Sequence, residues 1–197
     1  RTNYNTNYFD DPWQGVPVEG YYSLFQKMLA HPNIKIETGI DFFEAKDQVP
    51  EDCQIIYTGP IDRFFDYKFG NLNWRTLEFY PQTLPMEDFQ GTAVMNYSEK
   101  SVPYTRIHEF KHLHPERKKI VECKKTTIFV EYSKEAKQDD DPYYPVNTEK
   151  DKEMYRLYEQ ESKKQKNVIF GGRLGSYRYR DMDDCIAAAI ATFETKI

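Results

Sequence analysis

The feature that most constrains the fold is a run of strand-like segments in the middle of the chain. Four such segments lie between residues 73 and 134, and proline, glycine or charged residues separate them. They are TLEFYPQ (76–82), GTAVMNYS (91–98), YTRIHEFKHL (104–113) and TTIFVEYS (126–133). Successive strands without a helix between them pair antiparallel, so residues 73–147 are expected to form an antiparallel sheet domain.

The segment before the sheet alternates helical and strand-like patterns. GYYSLFQKMLAH (20–31) has apolar residues at helical spacing and precedes Pro32, so we expect a helix that ends there. NIKIETG (33–39) and CQIIYTGP (53–60) predict strands, and the second ends in a Gly-Pro turn.

The segment after the sheet alternates in the same way. KDKEMYRLYEQESKK (150–164) predicts a helix, and NVIFGGRLG (167–175) predicts a strand that ends in glycines. Residues 181–197 predict an amphipathic helix, N-capped by Asp181 with acidic residues in its first turn. The fold class is therefore mixed α+β and α/β, in which residues 1–72 and 148–197 flank the central sheet.

Both flanks contain too few strands to complete an α/β layer. A small parallel sheet leaves unpaired edges unless further polypeptide covers them. The chain also begins at Arg1, in a polar stretch without an initiator methionine. We therefore expect this chain to be part of a longer protein.

Composition and charge argue against several classes of function. The formal net charge is -5 and no basic stretch is interleaved with aromatic residues, which argues against a nucleic acid partner. No apolar run is long enough to span a bilayer. The three cysteines, Cys53, Cys123 and Cys185, are odd in number and lack CxxC spacing. We therefore expect reduced, mostly buried thiols in a cytoplasmic protein.

The segment VIFGGRLGSYRYRDMDDCIAAAIA (168–191) carries the clearest chemical pattern. A strand, a glycine turn and a helix N-terminus follow one another, and the N–H groups of such a helix start attract anions. Glycine allows a ligand to approach the backbone closely. The same pattern also fits a plain connection into a well-capped helix, so spacing alone leaves both interpretations open.

Five segments, in order along the chain, resemble one enzyme family. They are GVPVEGYYSL (15–24), YTGPIDRFFDYKFGNLNWRTLEF (57–79), GTAVMNYSEKSVPYTRIHEFKH (91–112), EYSKEAKQDDDPYYPVN (131–147) and FGGRLGSYRYRDMD (170–183). Together they are similar to the C-terminal half of bacterial-type UDP-galactopyranose mutases. The family's N-terminal dinucleotide fingerprint, GxGxxG, and its helical substrate lid have no counterpart in this sequence.

The resemblance implies a flavoenzyme that interconverts UDP-galactopyranose and UDP-galactofuranose for cell-surface glycans. In this family reduced FAD acts as a nucleophile, and its N5 atom takes the galactose while UDP departs and later returns. Residues 148–197 would complete a Rossmann-like FAD-binding domain with its last strand and helix. The absent half would hold most of the FAD, so the isolated chain is expected to be inactive. A homodimer is left open.

The resemblance assigns substrate contacts to five side chains. Arg106, in PYTRIHEF, matches an arginine that binds the diphosphate and is the expected catalytic residue, because a guanidinium offers paired donors to phosphate oxygens. Tyr144 and Tyr179 match two tyrosines whose hydroxyls bind the same diphosphate. Tyr8 matches a further substrate tyrosine, and Asn96 matches a residue beside the sugar and phosphate.

The resemblance also places the flavin against two turns of the chain. Arg173, in the GGR turn, matches an arginine that contacts FAD. Asp181 and Met182 open the helix that lies beside the isoalloxazine ring. The strand end that passes near the cofactor comprises Tyr57, Thr58 and Gly59.

A metal site and two other functions are the alternatives to the mutase interpretation. His108, His112 and His114 of HEFKHLH would share one face of a strand, but no cysteine or carboxylate set accompanies them at metal-ligand spacing. No metal site is therefore expected. The alternative functions are another flavoprotein of the amine-oxidase-like superfamily and a non-catalytic module that binds a nucleotide sugar.

Overall fold

A computed structural model describes residues 11–197 of the chain. Within this range the helices are α1 (Gly20–Met28), α2 (Phe42–Ala45), α3 (Ile61–Phe64), α4 (Lys118–Val121), α5 (Glu149–Ser162), α6 (Gly172–Gly175) and α7 (Met182–Lys196). The strands are β1 (Ile55–Tyr57), β2 (Trp74–Leu84), β3 (Val94–Asn96), β4 (Arg106–His108), β5 (Thr126–Glu135), β6 (Tyr144–Pro145) and β7 (Val168–Phe170). Short 3-10 helices cover Lys46–Gln48 and Phe110–Leu113.

The centre of the chain forms the antiparallel sheet that the sequence predicts. Its strand order is β3-β4-β5-β2-β6, and each neighbouring pair is antiparallel. The longest pairing runs from Arg75↔Glu135 to Leu84↔Thr126 without a break. Each of the four predicted segments contributes one strand, and β6 adds a fifth. β4 is shorter than predicted because the chain turns into a 3-10 helix at Phe110.

The register gathers the candidate functional side chains on one face of this sheet and places a buried apolar cluster on the other. Residues directly opposite each other point to the same side, as do residues two and four apart on one strand. Arg106 is opposite both Asn96 and Glu131, and Arg75 is opposite Tyr144. Glu131 is also opposite Phe79, four residues from Arg75. The polar face is therefore defined by Asn96, Arg106, Glu131, Arg75 and Tyr144. The opposite face carries a buried cluster of Ile107, Ile128 and Val130.

A second sheet pairs β1 with β7 in parallel, from Ile55↔Val168 to Tyr57↔Phe170. The carboxyl ends of both strands therefore meet at one edge, where the turn after β1 contacts α6. Gly175 permits this contact, because a Cβ there would lie 3.1 Å from Tyr57 O. Gly59 instead leaves room for the Tyr57 ring, since a Cβ there would lie 2.6 Å from Tyr57 Oη. The strands predicted within 53–60 and 167–175 are confirmed.

Tyr158 of α5 ties this helix to the turn before β2. Its side chain is fully buried, and its hydroxyl donates to Gly70 O at 2.7 Å and accepts from Phe69 N at 3.1 Å. The same core cluster contains Ile61, Leu72, Trp74 and Tyr177. Because Trp74 opens β2 and Tyr177 follows α6, one core joins the large sheet, α5 and the parallel pair.

A reciprocal capping box fixes the start of α5. Thr148 Oγ1 accepts from Asp151 N, while the Asp151 carboxylate accepts from Thr148 N at 2.9 Å. The other oxygen of this buried carboxylate accepts from Asn73 N at 3.2 Å and from Asn73 Nδ2 at 2.7 Å, which links α5 to the start of β2. Burial works to raise the pKa of Asp151, but these hydrogen bonds outweigh burial and hold the pKa below its usual range.

The last helix confirms the prediction for residues 181–197. It leaves a stripe of apolar side chains exposed, at Ile186, Ile190, Phe193 and Ile197. Neither α7 nor any other helix within residues 11–197 combines the length and the apolar character needed to cross a bilayer.

Three predictions are wrong. NIKIETG (33–39) is not a strand, because no described segment pairs with it. The predicted end of α1 at His31 is also wrong. Pro32 disfavours helical geometry at His31, and α1 already ends three residues earlier, at Met28. Cys53 and Cys123 are exposed rather than buried, since both lie in short connections between elements.

We expect Asp151→Asn to lower the free energy of unfolding by about 2 kcal/mol, because it removes the charge from a buried carboxylate that accepts several hydrogen bonds. The loss should be largest near neutral pH. A lowered folded pKa contributes stability above the usual aspartate pKa, and this contribution disappears as the pH falls through the folded pKa. Urea unfolding at several pH values measures both effects.

The matched control is Glu149→Gln, an exposed change in the first turn of the same helix. It should alter the free energy of unfolding by less than ~0.5 kcal/mol. Equal losses in the two variants would contradict the role given to Asp151.

Candidate functional site

β4 places Arg106 on the polar face, next to Asn96 of β3. The two residues are directly opposite in the ladder, and Arg106 Nε donates to Asn96 Oδ1 at 2.9 Å. The guanidinium also lies 3.7 Å from Glu131 Oε2 on the neighbouring strand. Since 36% of the Arg106 side chain is exposed, a ligand on the polar face can reach it.

Glu131 is a buried charge that the sequence analysis did not identify. It is almost completely buried, and its Oε2 lies 2.8 Å from His108 Nε2. An unpaired buried carboxylate is strongly unfavourable, so these partners are needed. Glu131 therefore positions both Arg106 and His108 on the polar face. The signal in the sequence was a single glutamate within the apolar run of TTIFVEYS.

Tyr144 and Tyr179 come together from distant parts of the chain. Tyr144 lies in β6, Tyr179 lies between α6 and α7, and their rings stack with centroids 5.7 Å apart and planes at 19°. The guanidinium carbon of Arg173 lies 4.7 Å from the ring centroid of Tyr179 and 5.8 Å from that of Tyr144. A cation near an aromatic face is attracted to it, so Arg173 helps to hold both rings.

Arg173 also fastens the backbone on either side of this tyrosine pair. Nη1 donates to Tyr143 O at 2.9 Å, while Nη2 and Nε donate to Arg180 O at 2.5 and 3.2 Å. The planar fork of a guanidinium suits such a set of carbonyl acceptors. The resemblance assigns Arg173 to the flavin, but this second role depends on carbonyl positions that no motif encodes.

Asp181 takes the N-cap position of α7, but its side chain does not cap the helix. Its Oδ1 instead accepts from the Tyr179 hydroxyl at 2.8 Å. The hydrogen bond to Asp181, together with partial burial, raises the pKa of Tyr179 above its ordinary value. The predicted cap is therefore corrected: the Asp181 side chain orients Tyr179 and does not cap α7.

The Arg106 group and the tyrosine pair share the polar face but are separate clusters. β5 and β2 lie between β4 and β6. Three inter-strand steps of about 4.8 Å separate the Cα atoms of Arg106 and Tyr144 by about 14 Å across the strands of a flat sheet, and the four-residue offset from Phe79 to Arg75 adds roughly 14 Å along them. The two side chains can therefore share one ligand only where they extend towards each other over the polar face.

Residues 1–179 match the sequence model of the UDP-galactopyranose mutase family. The chain belongs to this family. It is 40% identical over 194 residues to dTDP-fucopyranose mutase of Escherichia coli, and 38% identical over 192 residues to a Klebsiella pneumoniae protein named "Probable UDP-galactopyranose mutase". It is 30% identical over 203 residues to UDP-galactopyranose mutase of Mycoplasma pneumoniae.

These similarities cover almost all of this chain but only part of each relative. The aligned regions include 96%, 98% and 96% of the chain, in the order given above, and 50%, 48% and 50% of the relatives. The chain thus spans about half the length of the curated relatives it matches.

The flavin that the sequence resemblance predicts would have to lie against the carboxyl edge of the parallel pair, where backbone turns meet. Gly172 adopts φ +68° in the turn after β7, and a Cβ there would lie 3.4 Å from Thr58 Cβ. Glycine therefore lets the two turns lie in contact. Arg173 follows directly, and the exposed Met182 opens α7.

Tyr57 contributes backbone rather than side chain to this edge. Its ring is buried against Phe64 and Phe170, with centroids 5.0 and 5.9 Å away, and its hydroxyl donates to Pro60 O at 3.2 Å. Burial raises the pKa of Tyr57 to about 12, so the phenol stays neutral. That residues 57–59 lie near a cofactor stays a prediction, and it now concerns their backbone rather than the Tyr57 ring.

Two further sequence predictions concern Tyr8 and the three histidines of HEFKHLH. Tyr8 lies outside the described residues. The three histidines of HEFKHLH do not share a strand face, because β4 ends at His108 and His112 lies in the following 3-10 helix. That expectation is wrong.

A cleft with a volume of about 640 Å³ lies beside the 136–142 loop. Leu72, Trp74 and Leu174 are among its lining residues, and none of the described residues assigned to substrate or flavin lines it. We therefore base the site on the polar face and the carboxyl edge rather than on this cleft.

We expect Asp181→Asn to lower the pKa of Tyr179, because a neutral amide no longer opposes formation of the phenolate as a carboxylate does. Titration of ¹³Cζ-labelled tyrosine by NMR, with Tyr179→Phe to assign the signal, measures this change. Asp183→Asn in the first turn of α7 is the matched control and should leave the pKa of Tyr179 unchanged. A Tyr179 pKa that is unchanged by Asp181→Asn would contradict the contact.

Proposed function

We propose that this chain forms the diphosphate-binding side of a flavin-dependent mutase that interconverts UDP-galactopyranose and UDP-galactofuranose. The observation that carries the proposal is the polar face, where Arg106 is held by Asn96 and Glu131 and where Tyr144 stacks on Tyr179. Family membership selects this substrate class from the extended anions that such a face could bind.

The side chains of the polar face suit a diphosphate that leaves and returns. A guanidinium offers paired donors to phosphate oxygens, and the bond from Arg106 Nε to Asn96 fixes the plane of that group before the ligand arrives. Tyr144 offers a neutral hydroxyl donor, and Tyr179 would offer a second when its proton turns from Asp181 Oδ1 to the ligand. Such donors stabilise a developing anion without the strong attraction of a second full charge. In this proposal Arg106, Tyr144 and Tyr179 orient UDP and stabilise it as it departs.

We further propose that FAD lies at the carboxyl edge of β1 and β7, as the last strand and helix of a Rossmann-like domain would require. Arg173, Asp181, Met182 and the backbone of residues 57–59 would hold it there. When bound, reduced FAD supplies the nucleophile that takes the galactosyl group. Because Arg173 contacts both Tyr144 and Tyr179, the same residue would couple the flavin edge to the diphosphate donors.

A second candidate substrate is dTDP-fucopyranose. The Escherichia coli relative with this substrate in its name is 40% identical to the chain, similar to the 38% for the Klebsiella pneumoniae protein named for UDP-galactopyranose. Both substrates are nucleoside diphosphate sugars. The diphosphate donors proposed above would serve either of them, so the choice must depend on contacts to the base and the sugar.

The assay that tests the proposal offers both sugar nucleotides to the full-length, flavin-loaded protein after reduction with dithionite. Chromatographic detection of UDP-galactofuranose supports the first candidate, and a furanose product from dTDP-fucopyranose alone supports the second. A folded, reduced holoenzyme that makes neither furanose would contradict the proposed function.

We expect Arg106→Ala in the full-length enzyme to cost about 2–4 kcal/mol of transition-state stabilisation, or roughly a 30- to 900-fold loss in kcat/KM. Arg106→Lys should recover only part of the loss, because it keeps the charge but not the planar fork. Arg156→Ala, on the exposed side of α5, is the control and should retain activity. A change below tenfold for Arg106→Ala would show that Arg106 is peripheral to the reaction.

A further inference from the structure

Three side chains with metal-ligand chemistry converge beyond the end of β4. Asp88 comes from the connection between β2 and β3, Glu109 directly follows β4, and His112 lies in the 3-10 helix Phe110–Leu113. One ligand atom from each of the three lies within 4.8 Å of the others. The 3-10 turn produces this arrangement, because it brings His112 back over Glu109 in a way that the extended spacing of a strand would not.

The distances within this cluster suit an ion better than direct hydrogen bonds. His112 Nε2 lies 3.4 Å from Asp88 Oδ1 and 3.4 Å from Glu109 Oε2. Both separations exceed the usual range for N–H···O bonds, and Nε2 is a buried atom for which residues 11–197 supply no hydrogen-bond partner. Two ligands bound to tetrahedral zinc at about 2.0–2.1 Å are about 3.3 Å apart. The observed separations therefore match two edges of a zinc coordination tetrahedron.

Both carboxylates are already oriented by hydrogen-bond donors around them. Glu109 is fully buried and accepts from Phe89 N at 3.2 Å, from Gln90 N at 3.0 Å and from the Thr126 hydroxyl. Asp88 Oδ1 accepts from Gly91 N at 2.6 Å. Such outer contacts hold metal ligands in place in known sites. The same hydrogen bonds connect the loop 85–93 to Glu109, directly after the end of β4.

We propose that Asp88, Glu109 and His112 bind one divalent ion of the zinc class. An imidazole with two carboxylates is a donor set that zinc accepts, whereas magnesium and calcium prefer oxygen ligands alone. Asp88 is half-exposed, which leaves the fourth position open to water. The ion fastens the β2–β3 connection to the end of β4. The hydroxyl of Thr126 donates to Glu109, and Thr126 lies on the same face of β5 as Ile128 of the apolar cluster. The proposed site is therefore on the face of the sheet opposite the diphosphate donors.

Zinc titration of the tag-free, full-length protein, after treatment with a chelator, tests the proposal. Calorimetry is expected to give one saturable Zn²⁺ site per chain. Asp88→Asn and His112→Gln should each weaken zinc binding by at least about tenfold, by analogy with loss of groups around known sites. His114→Gln is the matched control, because His114 lies two residues away and pairs with Glu116 instead. It should bind zinc as the unaltered protein does.

Two further measurements keep the outcome decisive. Co²⁺ in place of Zn²⁺ should give the visible bands of a four-coordinate site in the unaltered protein and in His114→Gln. Zinc should also raise the melting temperature of these two proteins but not that of Asp88→Asn, which keeps the shape of the aspartate and so should still fold. Absence of stoichiometric binding, or unchanged zinc affinity in Asp88→Asn, would overturn the proposal.

Discussion

The unbroken pairing of β2 with β5 is the constraint on which the rest of the structure depends. Each residue of β2 from Arg75 to Leu84 faces one residue of β5. A slip of one residue would move every side chain to the other side of the sheet, and Glu131 would then enter the apolar cluster. β4 pairs with β5 and β6 pairs with β2, so the positions of Arg106 and Tyr144 follow from this one ladder.

Charged side chains then fix the positions of the residues that the β2–β5 pairing brings close together. Glu131 positions Arg106 within the sheet, and Asp151 joins the start of α5 to the start of β2. Arg173 performs the same task at the edge of the sheet, where it binds Tyr143 O and Arg180 O and lies against both tyrosine rings. Glu131 and Asp151 each have a defined set of partners, which is what makes the burial of their carboxylates tolerable. The proposed diphosphate site thus rests on groups that the fold holds in place before any ligand binds.

Local patterns predicted the elements whose identity depends on their own residues. Periodicity and turn residues predicted β1 to β5, β7, α5 and α7, but not the two-residue strand β6. NIKIETG failed because a strand also needs a partner, and no pattern within seven residues reveals whether one exists. Asn96 lies beside Arg106 and Tyr144 lies beside Tyr179, while the assignment of these side chains to one ligand stays a prediction. Glu131, and the backbone contacts of Arg173, could not be assigned because they depend on residues brought together only by the folded chain.

The most direct measurement is a crystal structure of the full-length, flavin-loaded protein with UDP. We expect the diphosphate oxygens to lie within hydrogen-bond distance of the Tyr144 and Tyr179 hydroxyls and of the Arg106 guanidinium, on the polar face. UDP bound elsewhere, with these three side chains contacting only protein or water, would contradict the central claim that this face binds the diphosphate.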